Sequence, residues 1–410
     1  MEPSKDKWNI VLLIFVIHGI GTLMPWNMFI TAKGYFVEYK LGGGANSTIT
    51  TDYAANFLQY LTVSSQIPNV LFNWLNIFLD LGGDLSKRMS ISILVELVLF
   101  VVTVIMAMVD TASCPGLFFW VTMFTVVILS IAAAFYQNTI YGMAATFPFR
   151  YTGAVILGSN VCGLFVSIVN IASTYLFSSM RTAAIYYFIT AMIMLLVCFD
   201  TFYALPLNKF FMYNQLSRKT DDNEGNRKNS HVPYWSIFKK EFVQLYNVYI
   251  IFFVTLAVFP AVNSDVKVSS PNFFIQDAGM YVQITCFLTF NLFAMLGSLT
   301  SYWIQWPEPK YLAVATTLRL VFIPLLLFCN YVPLNVERTL PVFINNDWIY
   351  WLIAILMAYT SGYFSALSMM YAPQTVEAKY QVKAGMFAAA MLMSGIFSGI
   401  LFSFLTPHLV

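Results

Sequence analysis

The chain has 410 residues, of which 59% are hydrophobic and only 10% charged, with a formal net charge of +2. A soluble domain carries roughly a quarter charged residues, so most of this length needs lipid as its solvent. A charge balance this near zero gives no basis for nucleic-acid binding. Composition therefore predicts an all-α polytopic membrane protein, with the lipid bilayer as its surroundings and no obligate protein partner evident.

The first apolar run, Trp8 to Ile30, suits a membrane span of about 20 residues and carries no small-residue cleavage pattern behind it. It contains Gly19-Ile-Gly-Thr-Leu-Met-Pro-Trp-Asn27, a mixture that a mere anchor would replace with Leu, Ile and Val, because polar groups in hydrocarbon must be satisfied inside the protein. The block reads as the wall of a transport pathway. Further spans are expected at 54–79, 91–109, 118–146, 152–177 and 183–205, and, beyond a polar segment, at 244–262, 280–304, 310–332, 347–371 and 384–405. That makes eleven, arranged six plus five: an N-terminal bundle over 1–205, a cytoplasmic central loop over 206–243 and a C-terminal bundle over 244–410. The runs around Pro260 and Pro324 are candidates for kinks.

Orientation follows from the basic residues. With the N-terminus inside, the inner segments hold 15 of the 21 Lys and Arg and the outer segments 5 (Lys33, Lys40, Arg181, Lys267 and Arg338), while Arg319 lies within a span. The bias predicts a cytoplasmic N-terminus and, after an odd number of spans, an extracellular C-terminus. The one Asn-x-Ser/Thr acceptor, Asn46-Ser-Thr, then falls in the first outer loop, where glycan can be attached. This suits the secretory route and a plasma-membrane location, with an intracellular organelle as the alternative. Four of the five cysteines lie in spans, so no disulfide framework is indicated, and the three histidines are scattered without ligand spacing, so no metal is expected. Gly42-Gly-Gly44 lacks the Lys-Ser/Thr of a phosphate-binding loop, and no nucleophile with its base, carboxylate pair or metal set marks an enzyme. No cofactor is expected.

Polar groups within the spans carry the remaining information. In the fourth, Tyr136-Gln137-Asn138 lies among small residues, and Gln137 serves either an interhelical hydrogen bond or a ligand. Gly153, Gly158 and Gly163 mark close helix contact in the fifth, and Phe287 and Asn291 bring an aromatic and an amide one turn apart in the eighth. Glu96 and Asp200 are the intramembrane carboxylates, and Arg319 is expected to serve structure, pairing with a helix end or a carboxylate.

With these blocks in hand, the chain resembles the equilibrative nucleoside transporter family (solute carrier family 29) over nearly its whole length. The resemblance rests on Gly19 to Asn27, on the Gln137 block continuing through Phe-Pro-Phe-Arg-Tyr151-Thr to Gly158, on Phe259-Pro-Ala-Val, on Cys286 to Asn291 with Arg319-Leu-Val-Phe-Ile-Pro324, and on Ser361-Gly-Tyr-Phe with Ala384-Gly. It implies an eleven-span, major-facilitator-like plan lacking the last helix. It also implies that Leu23 and Trp26 shape the pore and its outer gate, that Gln137 bonds the base, that Gly158 bears on transport competence, that Phe287 and Asn291 lie near the ligand, and that Ile396 bears on selectivity.

One departure stands against the matches. Where family members carry an aspartate and, four residues later, an arginine that hold the ribose hydroxyls, this chain has Ala294 and Ser298. Joint loss avoids an unpaired buried charge, so it reads as a coordinated change. Ser298 keeps a donor and an acceptor and stays among the candidate contacts. Three outcomes follow: nucleoside transport through other contacts, a shift towards nucleobases or other flat solutes including organic cations, or weak transport with another role. The expected function is equilibrative nucleoside transport by alternating access, two bundles rocking about a midplane site without ion coupling.

Overall fold

The computed structural model describes residues 5–41, 52–79, 85–111, 114–215, 232–333 and 337–410. Asn46 and most of the segment between 206 and 231 lie outside them. Among the described residues the chain is helical, with only isolated β-bridges. Helices α1 (Ile10–Thr31), α2 (Phe57–Phe78), α3 (Leu85–Met108), α4 (Pro115–Ala144), α5 (Arg150–Leu176) and α6 (Met180–Ala204) precede the central segment. After it come α7 (Tyr234–Val258), α8 (Val282–Thr300, opening as a π-helix to Leu288), α9 (Leu312–Leu327, broken by a 3-10 turn at Arg319–Val321), α10 (Asp347–Tyr371) and α11 (Gln381–Ser403).

Nine of the helices in the described residues are long and apolar enough to cross a membrane, which makes this a multi-pass membrane protein. The other two differ for physical reasons. α2 carries a polar stripe, with Ser65, Gln66, Asn73 and Asn76 all buried, and α9 is short because Pro324 removes a donor and the chain tightens to a 3-10 turn just before it. α7 begins at Tyr234, directly after Pro233 and ten residues before the sequence boundary at 244, because Lys239 and Lys240 lower the hydropathy of its first turns while keeping their charges at the surface. Its end at Val258, two residues before Pro260, follows from the bias of a residue preceding proline towards extended backbone.

Contacts divide the chain into two compact units, Met1–Met143 with Cys162–Gly225, and Ala144–Val161 with Asn226–Val410. The start of α5 thus packs with the second unit and its remainder with the first. The core of the first unit is aromatic: Phe36 stacks on Phe29 at 5.6 Å and on Phe57 at 5.1 Å, and Phe100, Phe118 and Phe188 close around them. The C-terminal end of α3 gathers two cations. Lys40 donates to the carbonyls of Met106 (3.0 Å) and Val109 (2.7 Å), and Arg181 donates to that of Met108, so orphan carbonyls and the negative end of the helix dipole are both met.

The second unit is built on glycines. A Cβ on Gly297 would stand 2.1 Å from the Tyr359 carbonyl oxygen, one on Gly395 2.5 Å from that of Tyr249 and one on Gly399 2.6 Å from that of Phe253. These positions bring α8 onto α10 and α7 onto α11 at backbone distance, the means by which membrane helices gain dispersion contacts where lipid removes the hydrophobic drive. One end of α10 is stapled twice. Asn346 caps its first turn, and the buried Asp347 carboxylate accepts from the backbone N–H groups of Ser269 (3.0 Å) and Ser270 (2.7 Å) and from the Tyr281 hydroxyl (2.9 Å).

Candidate functional site

In α1 the glycine-rich block does two jobs. A Cβ on Gly21 would meet the Tyr136 hydroxyl at 2.6 Å and the Cys198 sulfur at 2.8 Å, so this glycine admits neighbours from α4 and α6 and is packing. Pro25 lies inside the helix and leaves a backbone carbonyl without its usual donor. Leu23 and Trp26 lie on a half-buried face, with Leu23 packed against the aromatic core. Asn27 bonds back to the Leu23 carbonyl at 3.0 Å.

The Gln137 region is held on both sides. Tyr136 places its hydroxyl 2.7 Å from His18 Nδ1. Asn138 accepts from Asn76 Nδ2 (3.0 Å) and donates to the Asn73 carbonyl (3.3 Å), and Arg88 in turn donates to Asn76 Oδ1 (3.1 Å). Gln137 stands between these ties, only 2% exposed, and among the described residues its amide makes no hydrogen bond. Of the two uses open in the sequence, the interhelical hydrogen bond is not seen among the described residues. An amide buried without partners costs about 1–3 kcal/mol.

The sequence reading did not single out Asn73 and Asn76. Their signal is present in the primary structure: Thr62, Gln66, Asn69, Asn73 and Asn76 recur every three or four residues and form one polar face on α2. Gln66, 2% exposed, is likewise without a hydrogen bond among the described residues.

In the second unit, Phe287 falls on the π-helical opening of α8, is 38% exposed and meets Phe259 edge-on at 5.9 Å, while Phe259 stacks on Phe290 at 3.8 Å. Asn291 is half-buried one turn further on, and Ile396 is half-buried on α11. Ala294 and Ser298 face inward against α10. The Ser298 hydroxyl, with no exposed surface, lies 3.0 Å from the Ala294 carbonyl and 3.1 Å from that of Gly362, and accepts from Asn160 Nδ2 at 2.5 Å. Gly158 is buried on the same stretch of α5.

Arg319 is almost wholly buried and has no carboxylate partner among the described residues. Its guanidinium donates to Thr360 Oγ1 (3.2 Å), the Ile251 carbonyl (2.8 Å), Thr255 Oγ1 (3.0 Å) and the Met357 carbonyl (3.2 Å), tying α7, α9 and α10 together through neutral acceptors. Glu96 is fully buried on α3, and Asp200 is exposed near the end of α6.

This helical, multi-pass fold is like that of major facilitator superfamily transporters. A proton:xylose symporter of that superfamily superposes with a TM-score of 0.68 over 98% of this chain and 88% of its own, at 12% identity, a likeness of fold alone.

The family is defined by sequence. The nucleoside transporter family model matches residues 123–408. The human protein described as equilibrative nucleoside transporter 1 is 29% identical over 460 residues, covering 100% of this chain and 99% of its own. Human equilibrative nucleoside transporter 2 is 30% identical with the same coverage, and an Arabidopsis thaliana equilibrative nucleotide transporter 1 is 23% identical over 97% of this chain and 86% of its own. The chain belongs to the equilibrative nucleoside transporter family, whose members are transporters and not enzymes.

Proposed function

We propose that this protein carries nucleosides across a membrane by facilitated diffusion, with net flux following the solute gradient. The observation that carries this reading is Gln137, an amide nearly shut off from solvent that makes no hydrogen bond among the described residues while both of its neighbours are tied down. A nucleobase edge offers the donor and acceptor that such an amide lacks, and Leu23 and Trp26 suit its flat face; within the second unit the proposed solute contacts are Phe287 and Asn291. Gly158, Arg319 and Ile396 support transport by packing and shaping. The names of the full-length relatives favour nucleosides over a solute restricted to bases.

On this reading all eleven helices, α2 and α9 included, cross the membrane in a six-plus-five arrangement. The polar stripe of α2 faces protein and not lipid. The N-terminus is cytoplasmic and the C-terminus extracellular, Asn46 is open to glycosylation, and the protein works in the plasma membrane.

The test is uptake of labelled uridine and adenosine, against labelled hypoxanthine, into proteoliposomes with and without a proton gradient. Saturable nucleoside uptake that ignores the gradient and weakens in Gln137→Ala is the expected result. Base-only uptake, or flux that requires the gradient, would overturn it.

A further inference from the structure

We infer that one end of the second unit, where α7 and α11 begin, binds the headgroups of anionic phospholipids, with Lys239 and Trp235 at the centre of the site. The lipid is a partner apart from the transported solute, and the nucleoside reading is not needed for it.

Charge is divided unevenly along this unit. Lys240 lies 3.7 Å from Glu377, Gln244 donates to the Pro309 carbonyl at 3.0 Å, and Arg150 lies over the Tyr302 ring, so the starts of α5, α7, α9 and α11 share one end. Among the described residues that end holds six cations, Arg150, Lys239, Lys240, Lys310, Lys379 and Lys383, against two exposed carboxylates, Glu308 and Glu377, while Glu241 is wholly buried. The opposite end reverses the balance, with Lys267 and Arg338 against Asp265, Asp277, Glu337 and Asp347. A basic end of this kind attracts anionic headgroups from the leaflet it meets.

The cations are held on aromatic rings. Lys239 Nζ sits 5.2 Å from the centre of a Trp235 ring and Lys383 Nζ 5.5 Å from that of Tyr234. Lys310 and Lys379 lie in the same way over Tyr311 and Tyr380. A ring face steadies an ammonium and leaves its N–H donors for an acceptor. Lys239 has no hydrogen bond or ion pair among the described residues, so its three donors are uncommitted. Trp235 is 67% exposed and stacks on Phe238, and an indole at the edge of a span settles at headgroup depth. One turn beyond Lys239, on the same face of α7, Phe242 and Val243 are exposed as well. Ring, cation and apolar stripe thus follow one another over about 12 Å of one helix, matching the order of headgroup and acyl chain in a phospholipid. A free anion or an acidic peptide would leave the apolar part of this face without a use.

The test is native mass spectrometry of the full chain released from micelles that hold phosphatidylglycerol and phosphatidylcholine in equal amounts. The unaltered protein should retain phosphatidylglycerol in preference. Lys239→Gln should lower the ratio of the two lipids by about fivefold, the size of one lysine at an anionic surface. Trp235→Ala should lower it less, since the ammonium is present but unheld, and Lys267→Gln, from the opposite end, should leave it unchanged. These side chains are at the surface, and size-exclusion chromatography checks that each variant is folded. An unaltered protein that retains both lipids equally overturns the inference, as does a Lys239→Gln variant that behaves like Lys267→Gln. Loss of the bound lipid to inorganic phosphate or an acidic peptide at the same concentration would assign the patch to that anion, and overturns it too.

Discussion

The carbonyl oxygen of Ala294 stands 1.9 Å from where the Cβ of any residue other than glycine at position 362 would be. Gly297 makes the reciprocal approach to Tyr359 from the opposite helix. α8 and α10 therefore meet at backbone distance, with Ala294 and Ser298 buried in the contact, where an unpaired charge would be costly. A neutral pair at these positions fits that contact, and the coordinated departure read from the sequence has a physical setting.

Gly362→Ala should be among the most damaging single-methyl changes in the molecule. The obstacle is backbone, so the helices must separate, at a cost of about 2–4 kcal/mol. Gly116→Ala is the control: its Cβ would meet only the Tyr53 ring, at 3.6 Å, and alanine favours helix by up to about 1 kcal/mol. Thermal unfolding in detergent, followed by size-exclusion chromatography, should show a large fall for the first and none for the second. Equal stability of the two variants contradicts the packing described.

Gln137→Ala and Asn138→Ala should part company although they are neighbours. Gln137 has no hydrogen bond to lose among the described residues, so its replacement should leave the unfolding temperature nearly unchanged and raise KM for nucleosides. Asn138→Ala strands Asn76 Nδ2 and the Asn73 carbonyl in the interior and should cost about 1–3 kcal/mol. Stability and uptake measured on the same preparations decide the matter. A strongly destabilised Gln137→Ala is the contrary result.

Arg319→Lys keeps the charge and loses the planar fork. Lysine cannot reproduce four bonds to acceptors on three helices, so the change should destabilise by about 1–3 kcal/mol. Unfolding temperature reads this directly, and a neutral outcome would show that position 319 needs only a positive charge.

Lys40→Met removes the ammonium but keeps much of the stem. The carbonyls of Met106 and Val109 lose their donor and α3 loses one of two cations at its C-terminus, for an expected loss of about 1–2 kcal/mol. Hydrogen exchange should rise in the last turn of α3 ahead of the rest of the helix. Unchanged protection there would mean that Arg181 caps the helix alone.

Most of the helical plan was legible in the primary structure. Long apolar runs have few alternatives in lipid, since a spanning backbone must satisfy its own hydrogen bonds. Boundaries moved where local chemistry competes with hydropathy, as at Pro233, where α7 starts, and before Pro260, where it stops. The polar stripe of α2 was visible as spacing, but its bonds to α4 were not, because spacing gives a face and not the neighbour that covers it.

By itself the sequence determined the membrane class, the order of the helices and the family, because hydrophobic length and local motifs are properties of contiguous residues. Tertiary structure decided which polar groups are already committed. It closed the space beside Gly21 and Gly362, gave Ser298 its partners, and left Gln137 without any among the described residues. A hydrogen bond depends on atoms brought within about 3 Å from distant parts of the chain, and no reading of one segment supplies that distance.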